Sequence, residues 1–169
     1  HANLSRANLV DADLSDANLD NANLSFATLK DANLFGARLV GANLYEASLT
    51  GANLSRTILS NANLSDASLD TAILTNAFLP DANLSRSILT RTDFSNASGF
   101  NAVFSNASLQ LAKLDGANFS FADFYFANME NTSIIRVTLK DARLTDAKLF
   151  SADLSRANLA GAILNNAIL

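Results

Sequence analysis

An all-β solenoid is the fold class predicted for this chain, and two observations predict it. From Leu4 to Leu169 every fifth residue is Leu, Phe, Ile or Met, with a single break at Gly99. Two places before each of these positions stands Ala, replaced only at Thr57, Ser87, Thr92, Thr132 and Val137. The register never slips, as in "ANLSRANLVDADLSDANL", so 34 consecutive units run from end to end without an insertion. Self-similarity at a fixed short period marks a repeat architecture, in which each unit contacts only its neighbours.

The period of five decides which architecture. At 100° per residue, an α-helix would rotate the Leu column by about 140° per unit and give it no common face. A straight strand would send successive Leu side chains to opposite faces, because five is odd. The chain must therefore turn once per unit. Within a unit Ala and the central residue lie two apart and point the same way, inward, while Asn, Asp, Ser and Gly crowd the outward and turn positions. Stacked coils would pair their backbones about 4.8 Å apart, around an axial column of Leu flanked by Ala.

These residues resemble the pentapeptide repeat family, whose motif is a small residue, then Asx, then Leu or Phe, then two variable residues. Apart from Gly99, the resemblance covers every unit from residue 2 to residue 169. It implies an all-β, right-handed quadrilateral parallel β-helix with four units per coil, hence about 8.5 coils and a rod roughly 40 Å long. Residues 1–169 then form one domain, read as a fragment of a longer chain because both ends look cut. Residues 20 apart should stack, so Asn3, Asn23, Asn43, Asn63 and Asn83 are expected to form an amide ladder, bonded along the stack or to their own turns.

Gly99 removes a central side chain, and an unfilled hole of Leu size costs about 2 to 5 kcal/mol. Two repairs are open: Phe100 turning inward, or the neighbouring central residues Phe94 and Phe104 supplying the volume. Repair is preferred over a ligand cavity, with Phe100 turned inward as the expected route.

Composition narrows the function. No run of apolar residues approaches the ~18 of a membrane helix, and there is no Cys for disulfides or thiolate metal sites. The only histidine is His1, and no phosphate-cradling glycine loop occurs. An enzyme is not expected, nor any cofactor or metal: "DADLSD", Asp11 to Asp16, lacks the Gly and Glu of a helix-loop-helix calcium site. The charge of −4 is uneven, −5 over residues 1–85 and +1 over the rest, without the basic stripe of a nucleic-acid binder. With no apolar run of membrane length the chain is expected to be soluble, with the cytoplasm the favoured compartment; the opening at His1 without a signal segment is read as a targeting segment removed.

Outward apolar residues carry the functional reading. One side should present Val40, Ile58, Phe78, Pro80 and Phe121, joined by Phe100 if it faces outward; such a strip is either a partner-binding surface or local support for strands. "FADFYFANM" places Phe121, Tyr125 and Phe126 outward and Phe124 inward. At the C-terminal units Ile163 and Ile168 should face outward beside inward Leu164 and Leu169, giving a candidate end-to-end homodimer contact. The expected function is a non-enzymatic interaction module for an unidentified protein partner. The alternative, implied by the family, is a DNA mimic that binds gyrase or another type II topoisomerase. That role needs continuous negative potential, whereas Asp11 stacks over Asp31 and Glu46 over Asp66 before Arg86 interrupts.

Overall fold

The computed structural model describes residues 2–169. It contains no helix, and successive coils are joined by parallel bridges between residues 20 apart, from Asn3 with Asn23 to Lys148 with Ile168. Four five-residue units therefore separate each residue from the one stacked on it, and the molecule is a β-helix solenoid. No helix is long and apolar enough to cross a membrane.

The unit Ala22–Phe26 shows why this sequence takes this form, because all five of its backbone N–H groups are satisfied. Asn23 N–H donates to Ala2 of the preceding coil at 2.9 Å. Leu24 and Phe26 N–H donate to Asn43 and Tyr45 of the next coil at 2.7 and 2.9 Å. Ala22 N–H closes the preceding β-turn on Leu19 O at 2.9 Å. The remaining donor, Ser25 N–H, points away from both neighbouring coils and is taken by the side-chain Oδ1 of Asn23 at 3.1 Å. Every Asn or Asp at that place in a unit, from Asn3 to Asn158, accepts the N–H two residues on. A buried or half-buried N–H left unpaired costs ~1 to 3 kcal/mol, and this cost selects Asx there.

The turn itself needs one residue in the left-handed region. Two places after each central residue, φ is positive from Arg6 to Asn166: 52° to 62° for side-chain-bearing residues and 63° to 73° for Gly36, Gly41, Gly51, Gly116 and Gly161. With positive φ confined to the second central position, these are type II turns. Asn and Asp are the commonest occupants and tolerate this region best. Arg, Phe, Thr and Leu also occupy it, because the hydrogen bonds to both neighbouring coils hold the backbone there.

Central Leu residues and their Ala partners are buried from Leu19 to Leu149, and the first and last coils are half-buried against them. Where Ala gives way to a hydroxyl, the oxygen bonds a central carbonyl: Thr57 to Leu54, Ser87 to Leu84, Thr92 to Leu69 and Thr132 to Leu109, at 2.6–2.8 Å. The expected amide ladder is present in part. Asn43 and Asn63 each donate Nδ2 to the Asn one coil below, at 3.4 and 3.2 Å, while every rung also bonds its own turn.

The inward turn of Phe100 expected at Gly99 does not occur. Gly99 keeps ordinary β backbone, and Phe100 is 48% exposed. The volume comes from the next coil: a Cβ at Gly99 would meet the Phe119 ring at 2.6 Å and Leu79 at 3.3 Å. Phe94 and Phe104, the second route, pack against Phe119 and are not the side chains nearest the missing Cβ. With Phe119 they form edge-on pairs at 5.2–6.0 Å, and Phe104 stacks on Phe124 at 4.8 Å, the spacing of the coils. An axial Phe leans into its own column more cheaply than Phe100 could be turned over within its β-turn, which would break the bond of Asp81 N–H to Phe100 O.

Two measurements check this account. Gly99→Leu overfills the Phe119 site and is expected to lower stability by about 1 to 3 kcal/mol; adding Phe119→Leu should restore most of it, read as a coupling energy in a double-mutant denaturation cycle. Asn63→Ala leaves Ser65 N–H without its acceptor and should cost about 1 kcal/mol. Ser105→Ala, at the first turn position and outside the left-handed region, is the control, with little or no loss.

Candidate interaction surface

One side of the solenoid departs from the Asx rule. Its bridging column reads Asn18, Arg38, Ile58, Phe78, Ser98, Asn118, and each residue is paired to the next. Replacing Asx deprives the N–H two residues on of its acceptor, and the surface answers this at two of its units. After Phe78 stands Pro80, which has no N–H to satisfy and whose fixed φ suits the first central position of a type II turn. After Arg38, the N–H of Val40 instead bonds Asp20 Oδ1 one coil below at 2.9 Å. The Arg38 guanidinium bonds the other oxygen of Asp20 at 2.8 Å and, with the Val40 bond, holds that carboxyl below its usual pKa.

Phe78 is the most exposed of the apolar residues expected here, at 48%, and Ile58 lies directly beneath it, half-buried with Val40 and Pro80. The outward Phe100 joins the strip one coil above Pro80, and its ring meets Phe121 at 5.0 Å, tilted by 53°. The expected residues therefore lie on four of five successive coils, and Phe100 fills the fifth. Only polar and small side chains intervene: Ser60, Ser98 and Ser120.

The second aromatic group is arranged as expected, with Phe124 buried, Phe126 exposed and Tyr125 half-buried against the Phe126 ring. Arg143 lies 4.0 Å over Tyr125, a cation–π contact absent from the sequence reading. Other exposed apolar side chains went unnoticed there: Ile73, Ile88, Leu111 and Phe150. Their signal was present, since Ile73 and Ile88 occupy the Asx place, but neither has an apolar stack neighbour: Ile73 lies between Asn53 and Asp93, and Ile88 between Ser68 and Ser108. At the C-terminal units Ile163 and Ile168 face outward, and Leu164 is half-buried on the core. Leu169 follows the inward column yet is 70% exposed.

The acidic columns are neutralised where Arg falls in stack. Arg86 grips Asp66 in a fork, Nε to Oδ1 at 2.8 Å and Nη2 to Oδ2 at 2.6 Å, which lowers the Asp66 pKa. Arg91 pairs with Asp70 at 2.7 Å and Arg143 with Asp123 at 3.6 Å. Among the described residues no group of three His, Cys, Asp or Glu could hold a metal ion, and no pocket is present.

Pentapeptide repeats match the chain in eight copies, over residues 1–36, 37–76, 77–116, 102–141, 112–149 and 142–169. Among solved structures, the chain is similar to HetL, a pentapeptide repeat protein involved in heterocyst differentiation regulation from the cyanobacterium Nostoc. The identity is 35% over 99% of this chain and 83% of HetL, with TM-score 0.50. It is also similar to a pentapeptide repeat protein of the Arabidopsis thaliana thylakoid lumen, 30% identical over 68% of this chain and 66% of that one, with TM-score 0.52. QnrB1, a plasmid-mediated fluoroquinolone resistance protein, shares the fold at 22% identity over 83% of this chain and 68% of its own, with TM-score 0.57. No curated protein sequence matches. With the repeat matched along its whole length, the chain belongs to the pentapeptide repeat family.

Proposed function

We propose that the chain is a soluble, non-enzymatic interaction module: a right-handed quadrilateral β-helix of about 8.5 coils whose outward strip docks a protein partner. The observation that carries this reading is the continuity of Val40, Ile58, Phe78, Pro80, Phe100 and Phe121 across stacked coils of a backbone with no unsatisfied buried side chain. A contiguous apolar strip on a rigid surface is the usual mark of a binding site. The 20-residue pairing supports four sides per coil. Similarity to HetL, a protein involved in heterocyst differentiation regulation, is in keeping with a binding role.

Strands do not need these residues, because Asn, Ser and Thr fill the same places elsewhere with the same bridges. The charge pattern favours this reading over a DNA mimic. The Asp66, Asp70, Asp20 and Asp123 carboxylates each face an Arg, which breaks the negative columns that imitation of a phosphate backbone would need.

An Ile58→Ser, Phe78→Ser double variant should keep its far-ultraviolet β-signature and thermal transition but lose partner capture by at least tenfold against wild type. Equal capture by both proteins would overturn the reading. The charge pairs make a separate prediction. Asp13, Asp20, Asp66 and Asp153 are held below the usual carboxylate pKa, by Ser15, Arg38, Arg86 and Ser155 respectively. The folded protein therefore binds fewer protons than the unfolded chain in acid. Stability is complete above the unfolded value of about 4 and falls as the pH drops through the lowered values. Denaturant midpoints should be level from pH 7 to pH 5 and drop by pH 3; Asp66→Asn should flatten part of that drop.

A further inference from the structure

The side bearing the strip has a self-complementary order of large and small side chains. Because the coils pair at 20 residues, its rows can be numbered outward from the row of Phe78 and Pro80. One row above lie Ser98 and Phe100; one row below lie Ile58 and Ser60. Two rows above lie Ser120 and Phe121; two rows below lie Val40 and Gly41.

We propose that two copies of this chain pair face to face and antiparallel about a twofold axis through the row of Phe78 and Pro80; this rests on the reading of the strip as an interaction surface and names its occupant. A twofold axis in that place exchanges the rows above and below while keeping each residue's lateral position. Phe100 then faces Ser60 of the second copy, and Phe121 faces Gly41. Ile58 faces Ser98, and Val40 faces Ser120. Each bulky side chain meets a small one, and only Phe78 and Pro80 meet themselves, at the axis. The cations of the face also fall opposite neutral amides, Arg56 on Asn96 and Arg38 on Asn118. A parallel pairing would instead set Val40 of one copy against Arg38 of the other.

Asp81 is the one charged side chain that this axis brings toward its own copy. It stands at the corner beside Pro80, where Asn101 Nδ2 donates to its Oδ1 at 2.7 Å. Five rows span roughly 19 Å, so the contact falls at or below the roughly 800 Å² per partner of a standard interface. The dimer therefore forms and dissociates with concentration.

Sedimentation equilibrium across a concentration series tests this. The wild-type mass should rise from 17.9 kDa toward twice that value. Phe78→Ser should stay at the monomer mass with an unchanged β-signature. Asp81→Asn should shift the dissociation to at least threefold lower concentration, since it removes the single like-charge meeting. An Ile163→Asp, Ile168→Asp variant should associate as wild type does. A Phe78→Ser protein that still dimerises, an Asp81→Asn protein with unchanged affinity, or loss of the dimer only in the C-terminal variant would overturn the proposal. If the wild type is a monomer at every concentration while Phe78→Ser still abolishes capture of a different protein, the second copy is overturned and the interaction reading stands. If that variant also loses nothing, both fall.

Discussion

Turning the chain once in every five residues strands one backbone N–H per unit, and the structure depends on how that donor is satisfied. The residue after the central side chain points its N–H away from both neighbouring coils, and where Asx stands two places earlier its side chain accepts it, as Asn23 does for Ser25. With that donor met, the other N–H groups divide between the turn and the two adjacent coils, and each coil becomes a template for the next. The same ladder holds residues as unsuited as Phe26, Leu111 and Phe121 in the left-handed region. The local cost is carried because the coils above and below define the backbone together.

Inside, the geometry leaves little choice. Ala admits close approach of the backbones and the central residue fills the axis, so an error at one unit is felt along a column rather than around a coil. Gly99 shows the direction of relaxation: its missing side chain is replaced by the Phe one coil on in the same column, and Phe94, Phe104 and Phe124 pack on that Phe119 ring. The chain repairs the hole axially because the side chains there are free to lean, whereas Phe100 is tied into a turn and a ladder.

Outside, substitution is nearly free wherever the stranded N–H can be met by other means. Pro80 removes the donor, and Asp20 supplies an oxygen from the coil below for Val40. These two devices let Arg38 and Phe78 replace Asx on one side while the fold is untouched. Surface chemistry thus varies independently of stability, which suits a module whose task is recognition.

The five-residue register, the inward Ala and central columns and the turn positions were legible in the sequence, because each follows from a strict short period; the stacking of residues 20 apart was implied by the family resemblance. The strip of Ile58, Phe78 and Pro80 could be named from that register together with that stacking. The direction of Phe100, its ring contact with Phe121, the occupation of the Gly99 site by Phe119 and the pairing of Asp20 with both Arg38 and Val40 were decided only by the tertiary structure. The physical reason is the same in each case. A period states which residues are neighbours, but whether a side chain leans, stacks or bonds depends on the space and the partners offered by the coil above and the coil below.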